Sequence, residues 1–172
     1  MLMSESVAEK IRTTLQDLPF RHFFEQNPVL VPVPRSALMK PGTLWVPQRL
    51  AYAMVQRGLG ASVIEFLKRE TAVLKSSTAK PAERPRAIDH YHSLSVQGAL
   101  SDIRNIVLID DVITRGATLV GAASKLTEAF PHARIRAFAA MRAMSPPDIF
   151  LNTLAPCCGW VTVNGDHTFR KP

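Results

Sequence analysis

The stretch Val107-Leu108-Ile109-Asp110-Asp111-Val112-Ile113-Thr114-Arg115-Gly116-Ala117-Thr118-Leu119 decides the reading of this chain. Its apolar start continues Ile106 and ends on two carboxylates. An unbroken apolar run of this kind suits a strand buried on both faces of a parallel sheet, and we place that strand at Asn105 to Asp110. Beyond the small residues Gly116 and Ala117, the positions Leu119, Val120, Ala123, Leu126 and Phe130 fall on one helical face, and Pro131 closes the helix. Arg134 to Met141 reads as the next strand, so residues 105 to 141 form a βαβ unit.

The chemistry of the stretch follows from its order. Carboxylates fixed at a strand end accept hydrogen bonds from two adjacent ribose hydroxyls. A loop of small residues at a helix N-terminus turns backbone N–H groups and the positive end of the helix dipole toward a phosphate. One ribose 5-phosphate satisfies both halves. A paired acid after a strand also occurs in Walker-type ATPases, but no Gly-x-x-x-x-Gly-Lys-Ser/Thr loop precedes it here. Gly58-Leu59-Gly60 lacks a third glycine and follows a helical pattern, which disfavours a dinucleotide fold. A receiver domain would carry its acid pair early in the chain, whereas two strand candidates precede this one.

Working outward, Ser4 is placed to cap a helix in which Val7, Ile11 and Leu15 recur four apart, ending before Pro19. Val29 to Pro34 reads as a strand ending in a loop, and Pro41-Gly42 as a turn within that loop. Val46 to Arg57 is a helix stopped by Gly58 and Gly60, and Ser62 to Leu67 a second strand. Residues 68 to 93 hold Lys68, Arg69, Lys75, Lys80, Arg84 and Arg86 without a clean period, and read as a long, partly mobile basic loop. In the tail, Ser145 to Asp148 is a break, Ile149 to Leu154 a short helix and Trp160 to Val163 a last strand. Strands alternating with helices predict an α/β fold with a mainly parallel sheet. Its ligand crevice lies beyond the carboxyl ends of the strands.

Composition bounds this reading. The 172 residues, 47% hydrophobic and 20% charged, suit one globular domain with a core of its own. No apolar run approaches the roughly 18 residues that span a bilayer, and the first residues are not signal-like, so a soluble, cytoplasmic protein is expected. Lys plus Arg is 21 against 14 for Asp plus Glu, and the resulting +7 suits anionic partners, a polyphosphate metabolite or nucleic acid. The only cysteines, Cys157 and Cys158, are adjacent and expected as free thiols. With His167 they make a poor tetrahedral zinc set.

Val107 to Leu119 resembles, at all thirteen positions in character, the phosphoribosyl-pyrophosphate signature of type I phosphoribosyltransferases. Val31-Pro32-Val33-Pro34-Arg35 and Pro47-Gln48-Arg49-Leu50-Ala51 look like the competence protein F branch of that family, and residues 29 to 141 follow its order. The resemblance implies a type I phosphoribosyltransferase fold that binds 5-phosphoribosyl-1-pyrophosphate (PRPP) with Mg2+. The sugar would pass to an acceptor with release of pyrophosphate. It also implies that Asp110 and Asp111 hold the ribose hydroxyls and that Thr114, Arg115, Gly116, Ala117 and Thr118 wrap the 5-phosphate. Pro34, Arg35 and Ser36 would form the pyrophosphate loop. Lys75, Arg84 and Arg86 sit where the branch has its flexible loop. Magnesium would be held through PRPP, near Asp110 and Asp111, with no ligand supplied directly by the protein. Dimers are common in the family.

Three departures qualify the match. Thr114 stands where hypoxanthine-guanine enzymes carry an acid that exchanges a proton with the purine, and Thr does no such work at neutral pH. Arg115 replaces a small residue. No cysteine precedes Cys157, so the branch's N-terminal zinc module is not expected. These departures and the basic charge support an alternative: a weakly catalytic PRPP- or nucleotide-sensing regulator or effector coupled to a nucleic-acid or protein partner. The resemblance further implies a core at about 29–141 and a small hood that chooses the acceptor, built from residues 145–172 with some of the first helix. Its Phe150, Trp160 and Phe169 are candidates for stacking on a base, although aromatics there more often belong to a core. His90 and His92 are read as residues of the basic loop.

Overall fold

The structure, a computed structural model, describes residues 2–74, 79–80, 83–98, 102–143 and 155–171. A four-stranded parallel sheet forms its centre, in the order β2-β1-β5-β6. These strands are β1 (Val29–Pro32), β2 (Ser62–Val63), β5 (Asn105–Ile113) and β6 (Arg134–Arg142). Their side chains alternate between two apolar layers. Leu30, Val107 and Ile109 face α1 (Met3–Thr14) and α2 (Val46–Val55), whereas Val31, Ile106 and Leu108 face α4 (Ala117–Ala129). Burial on both faces explains why the strand sequence is an unbroken apolar run and not an alternation. The expected α/β parallel sheet is therefore present, flanked by helices.

Each helix turns its apolar face inward. α2 buries Leu50, Ala51, Ala53 and Met54, and α4 buries Leu119, Ala122 and Leu126. Gly58, at φ 76°, takes the left-handed turn just beyond α2. Removing the apolar surface of a Leu at one of these positions typically costs about 2–5 kcal/mol.

Several elements depart from the expectation. Ser4 does not cap α1. It lies inside the first turn, and the Glu5 carboxylate accepts the Leu2 N–H instead, at 2.9 Å. α2 ends at Val55, two residues short of Arg57. The strand expected at Ser62 to Leu67 is two pieces: β2, and then β3 (Leu67–Arg69), which leaves the main sheet to pair antiparallel with β4 (Leu94–Val96).

The basic loop expected over residues 68 to 93 is shorter, because β3 occupies its start and α3 (Ala87–His92) its end. His90 is accordingly not a loop residue but a buried one, 2% exposed. β5 runs three residues past Asp110, paired to β6 as far as Ile113 and Arg142, so the acids stand within a strand and not at its last residue.

The tail holds a two-stranded hairpin, β7 (Trp160–Asn164) and β8 (His167–Lys171), where one strand was expected. Its tight turn places Gly165 at φ 56°, the conformation that a two-residue hairpin loop with glycine first requires. The break at Ser145 to Asp148 and the helix at Ile149 to Leu154 lie outside the described residues, as does Phe150. Among the described residues no helix is long and apolar enough to cross a membrane.

Candidate functional site

The sheet reverses its direction of growth between β1 and β5. β2 lies outside β1 on one side, and β6 outside β5 on the other. At such a reversal the connections leave the sheet in opposite directions, and a crevice opens beyond the carboxyl ends of the two strands. The register aligns those ends: Pro32 lies beside Ile109, and the Val33 N–H donates to the Ile109 carbonyl at 2.9 Å. Pro34, Arg35 and Ser36 therefore leave β1 next to where Asp110 and Asp111 follow Ile109.

The acidic side is held by its own backbone. An Asp110 carboxylate oxygen accepts the Asp111 N–H at 2.9 Å, and an Asp111 oxygen accepts the Val112 N–H at 2.9 Å. Burial, reinforced by the neighbouring Asp111, pushes the Asp110 carboxyl up to about 8. At neutral pH Asp110 thus carries a proton in the free protein. Asp111 also borders a shallow apolar cleft lined by Met3, Val7, Val46, Leu50 and Met141, so the first turn of α1 reaches the site.

Gly116 makes the turn from this strand into α4. It sits at φ 87°, and the first helical residue follows it with no side chain capping the helix. The N–H groups of that first turn therefore meet no capping side chain, as an anion site needs. A Cβ on Gly116 would lie 2.7 Å from the Val161 side chain of β7, so the hairpin rests on the loop. Arg170 of β8 reinforces this seat by donating to the carbonyls of Ile113 and Ala143 at 3.2 and 3.1 Å. Thr114 and Arg115 are half-buried beside it. Thr118 Oγ1 lies 3.3 Å from His90 Nε2.

The β1 side is braced from beneath by Arg69, which is 3% exposed. Its guanidinium donates to the carbonyl of Arg35 at 2.9 Å, to that of Pro34 at 3.4 Å, and to the Ser93 hydroxyl. The Ser36 carbonyl accepts the Val73 N–H at 2.9 Å. The Arg35 side chain itself is exposed and donates to the Leu44 carbonyl at 3.2 Å. Pro34, Arg35 and Ser36 are thus a loop whose backbone is tied down while one cation projects outward.

Of the expected binding residues, Asp110 and Asp111 follow Ile109, the register partner of Pro32, so Pro34, Arg35 and Ser36 leave β1 on their side of the sheet. Thr114 to Gly116 form the turn from β5 into α4, and Ala117 and Thr118 open that helix. Arg84 and Arg86 are engaged elsewhere. Arg84 donates to the Ala79 carbonyl at 3.3 Å, and Arg86 pairs with Asp89 at 3.3 Å and with Asp166 of the hairpin turn at 3.0 Å. Lys75 lies outside the described residues. Trp160, 77% exposed, and Phe169 stand on the hairpin face opposite Val161, so neither belongs to a core. Cys157 and Cys158 are exposed free thiols, and no metal-binding group of three or more His, Cys, Asp or Glu occurs among the described residues.

Sequence reasoning missed Arg69, Ser93 and His90, although Leu67 and Arg69 share the buried face of a strand whose middle residue, Lys68, is exposed. It missed β8 as well, where Gly165-Asp166 was a usable signal for a two-residue hairpin turn.

No protein-family model matches the chain, and no curated protein matches it. Similar solved structures include a hypoxanthine-guanine phosphoribosyltransferase from Bacillus anthracis with a HEPES molecule in its active site. It has a TM-score of 0.47 and 14% identity, over 88% of this chain and 77% of that one. A hypoxanthine phosphoribosyltransferase from Staphylococcus aureus has a TM-score of 0.43 and 13% identity, over 83% of this chain and 74% of that one. At these values the likeness is one of general layout and assigns no chemical role to any residue here.

Proposed function

We propose that this chain binds PRPP with Mg2+ and transfers its phosphoribosyl group to an acceptor, releasing pyrophosphate. The observation that carries the reading is the crevice between β1 and β5. Two carboxylates stand on its β5 side, a glycine turn opens α4 above them, and a braced loop with an outward arginine faces them from β1.

In this reading Asp110 and Asp111 accept hydrogen bonds from the ribose hydroxyls, and Asp110 gives up its proton as the ligand binds. The first-turn N–H groups of α4, with Thr114, Arg115 and Thr118, hold the 5-phosphate. The backbone of Pro34 to Ser36 and the Arg35 guanidinium hold the diphosphate, with Lys75 and Arg84 as further candidate contacts. As the bond from the anomeric carbon to pyrophosphate breaks and a bond to the acceptor forms, positive charge grows on the sugar beside the carboxylates and negative charge grows beside Arg35.

Magnesium fits this donor set as an ion carried mainly by the ligand. Two adjacent acids, one of them held protonated partly by the other, are the protein's contribution. When bound, the ion supplies neutralising charge to the leaving diphosphate. Thr114, with no proton to exchange at neutral pH, favours an acceptor other than a 6-oxopurine. The assignment to the competence protein F branch is part of this proposal and rests on Val31–Arg35 and Pro47–Ala51.

Calorimetric titration with PRPP and Mg2+, on wild type and on an Asp110→Asn, Asp111→Asn double variant, tests the reading. Micromolar binding that disappears in the variant supports it. A folded wild type that binds no PRPP overturns it. Steeply salt-dependent nucleic-acid binding would then favour the regulator reading, which draws on Arg115 and on the +7 charge.

A further inference from the structure

Beneath the crevice lies a buried polar chain that the proposed chemistry does not use. It begins at Arg69, whose fork grips the carbonyls of Pro34 and Arg35 and the Ser93 hydroxyl. Ser93 Oγ in turn donates to the His90 carbonyl at 2.7 Å, and His90 Nε2 meets Thr118 Oγ1 at 3.3 Å. Thus four residues link the loop after β1 to the first turn of α4.

Each link is costly as mere packing. Arg69 is buried with no carboxylate in ion-pair range among the described residues, and burial alone lowers its pKa to about 10. A buried cation without a counter-charge is expensive. The cation nonetheless stays charged, directly under a loop whose backbone faces the crevice.

His90 is equally unusual. Burial and the Arg69 charge push it down to about 4, so it is neutral, and its Nδ1 has no hydrogen-bond partner. The helices that carry the chain are locked together. A Cβ on Gly121 of α4 would lie 2.6 Å from the Ala87 carbonyl and 2.7 Å from the His90 Cβ of α3. A small displacement of the first turn of α4 is therefore transmitted to α3 and Ser93, not absorbed by slack.

We infer that Arg69, Ser93 and His90 are positioning residues forming a relay between the Pro34–Ser36 loop and the first turn of α4, so that filling one anion half of the crevice orders the other. The relay rests on the proposed assignment of those halves to diphosphate and 5-phosphate. An anion over the loop supplies the charge Arg69 lacks and tightens its grip on Pro34 and Arg35. Ser93 and His90 then hold Thr118 in register.

The test uses the full chain with Mg2+ and two separate probes, inorganic pyrophosphate and ribose 5-phosphate. The dissociation constant of ribose 5-phosphate is measured with and without saturating pyrophosphate. Wild type is expected to show about fivefold tighter binding in the presence of the second anion, a typical coupling. Ser93→Ala, a mild change that removes one hydroxyl, and His90→Phe are expected to bind each probe alone within about twofold of wild type and to lose that enhancement. Arg69→Lys, which keeps the charge without the fork, should fall between. Uncoupled binding in wild type, or coupling unchanged in Ser93→Ala and His90→Phe, overturns the relay and leaves the site assignment standing. Failure of the wild type to bind either probe overturns the site assignment itself, and the relay with it.

Discussion

Two neighbouring strand ends give opposite answers to the same problem. Within β5, half-buried Asp110 has its carboxyl pushed up to about 8 by the loss of solvent around it. Beneath the loop that follows β1, Arg69 of β3 is 3% exposed and keeps its charge. Burial disfavours the charged form of both, but a carboxyl has only a few pH units to climb before it is neutral at physiological pH. A guanidinium lowered to about 10 is still protonated there. The free crevice is consequently more cationic than its residue types suggest. It is prepared for anions, and its acidic half becomes charged only when a ligand offsets the cost.

The largest effect that would break this contrast is on binding. Replacing both acids, Asp110→Asn and Asp111→Asn, should weaken PRPP binding by about 100-fold or more, since each charged hydrogen bond contributes roughly 1.5–3 kcal/mol. A loss below tenfold in calorimetry would mean that the cationic side alone holds the ligand.

Next comes the β1 side. Arg69→Met leaves the Pro34 and Arg35 carbonyls without their donor, and is expected to cost about 2–4 kcal/mol of stability in denaturant titration. A variant as stable as wild type would show that the loop does not need its brace.

The third prediction sharpens the contrast through pH. The folded-state pKa of Asp110 is raised, so the native protein binds this proton over a range where the unfolded chain has released it. Wild-type stability should therefore fall as pH rises from the ordinary carboxylate range through about 8. Each tenfold change in proton affinity between the folded and unfolded chain is worth about 1.4 kcal/mol, and relaxation of the site relieves part of the total. Asp110→Asn should accordingly gain about 1–3 kcal/mol relative to wild type between about pH 5 and 8.5. Parallel stability profiles for the two proteins would contradict the burial of this carboxyl.

The smallest effect belongs to the exposed pair of Arg86 and Asp166. Arg86→Ala should leave the melting temperature unchanged within error, because surface ion pairs contribute little. A clear drop would mean that the hairpin is held to α3 mainly by this contact.

What could be read beforehand follows the same division. The β5–α4–β6 unit was legible because a strand buried on both faces spells itself as Ile106 to Ile109. The two acids and the glycine then have few alternative uses. The brace was illegible because a buried arginine in a three-residue strand breaks the link between polarity and exposure on which periodicity depends. His90 sits in a six-residue helix, too short to show a period. The second hairpin strand was hidden for a different reason: the inner face of β8 is Thr168 and Arg170, which supply no apolar alternation.

The pairing of β1 with β5 has a kinetic consequence. β6 joins β5 across a short excursion, Asn105 to Arg134, while β1 must find β5 across the much longer one from Val29 to Ile106. Closing the longer loop costs only about 1 kcal/mol more in chain entropy, but contacts so distant in sequence form late. The crevice thus exists only once this long-range pairing has closed. A partly folded chain that holds only the β5–α4–β6 unit carries half of the proposed site, so binding of the whole ligand reports on the closed pairing and draws earlier species toward it.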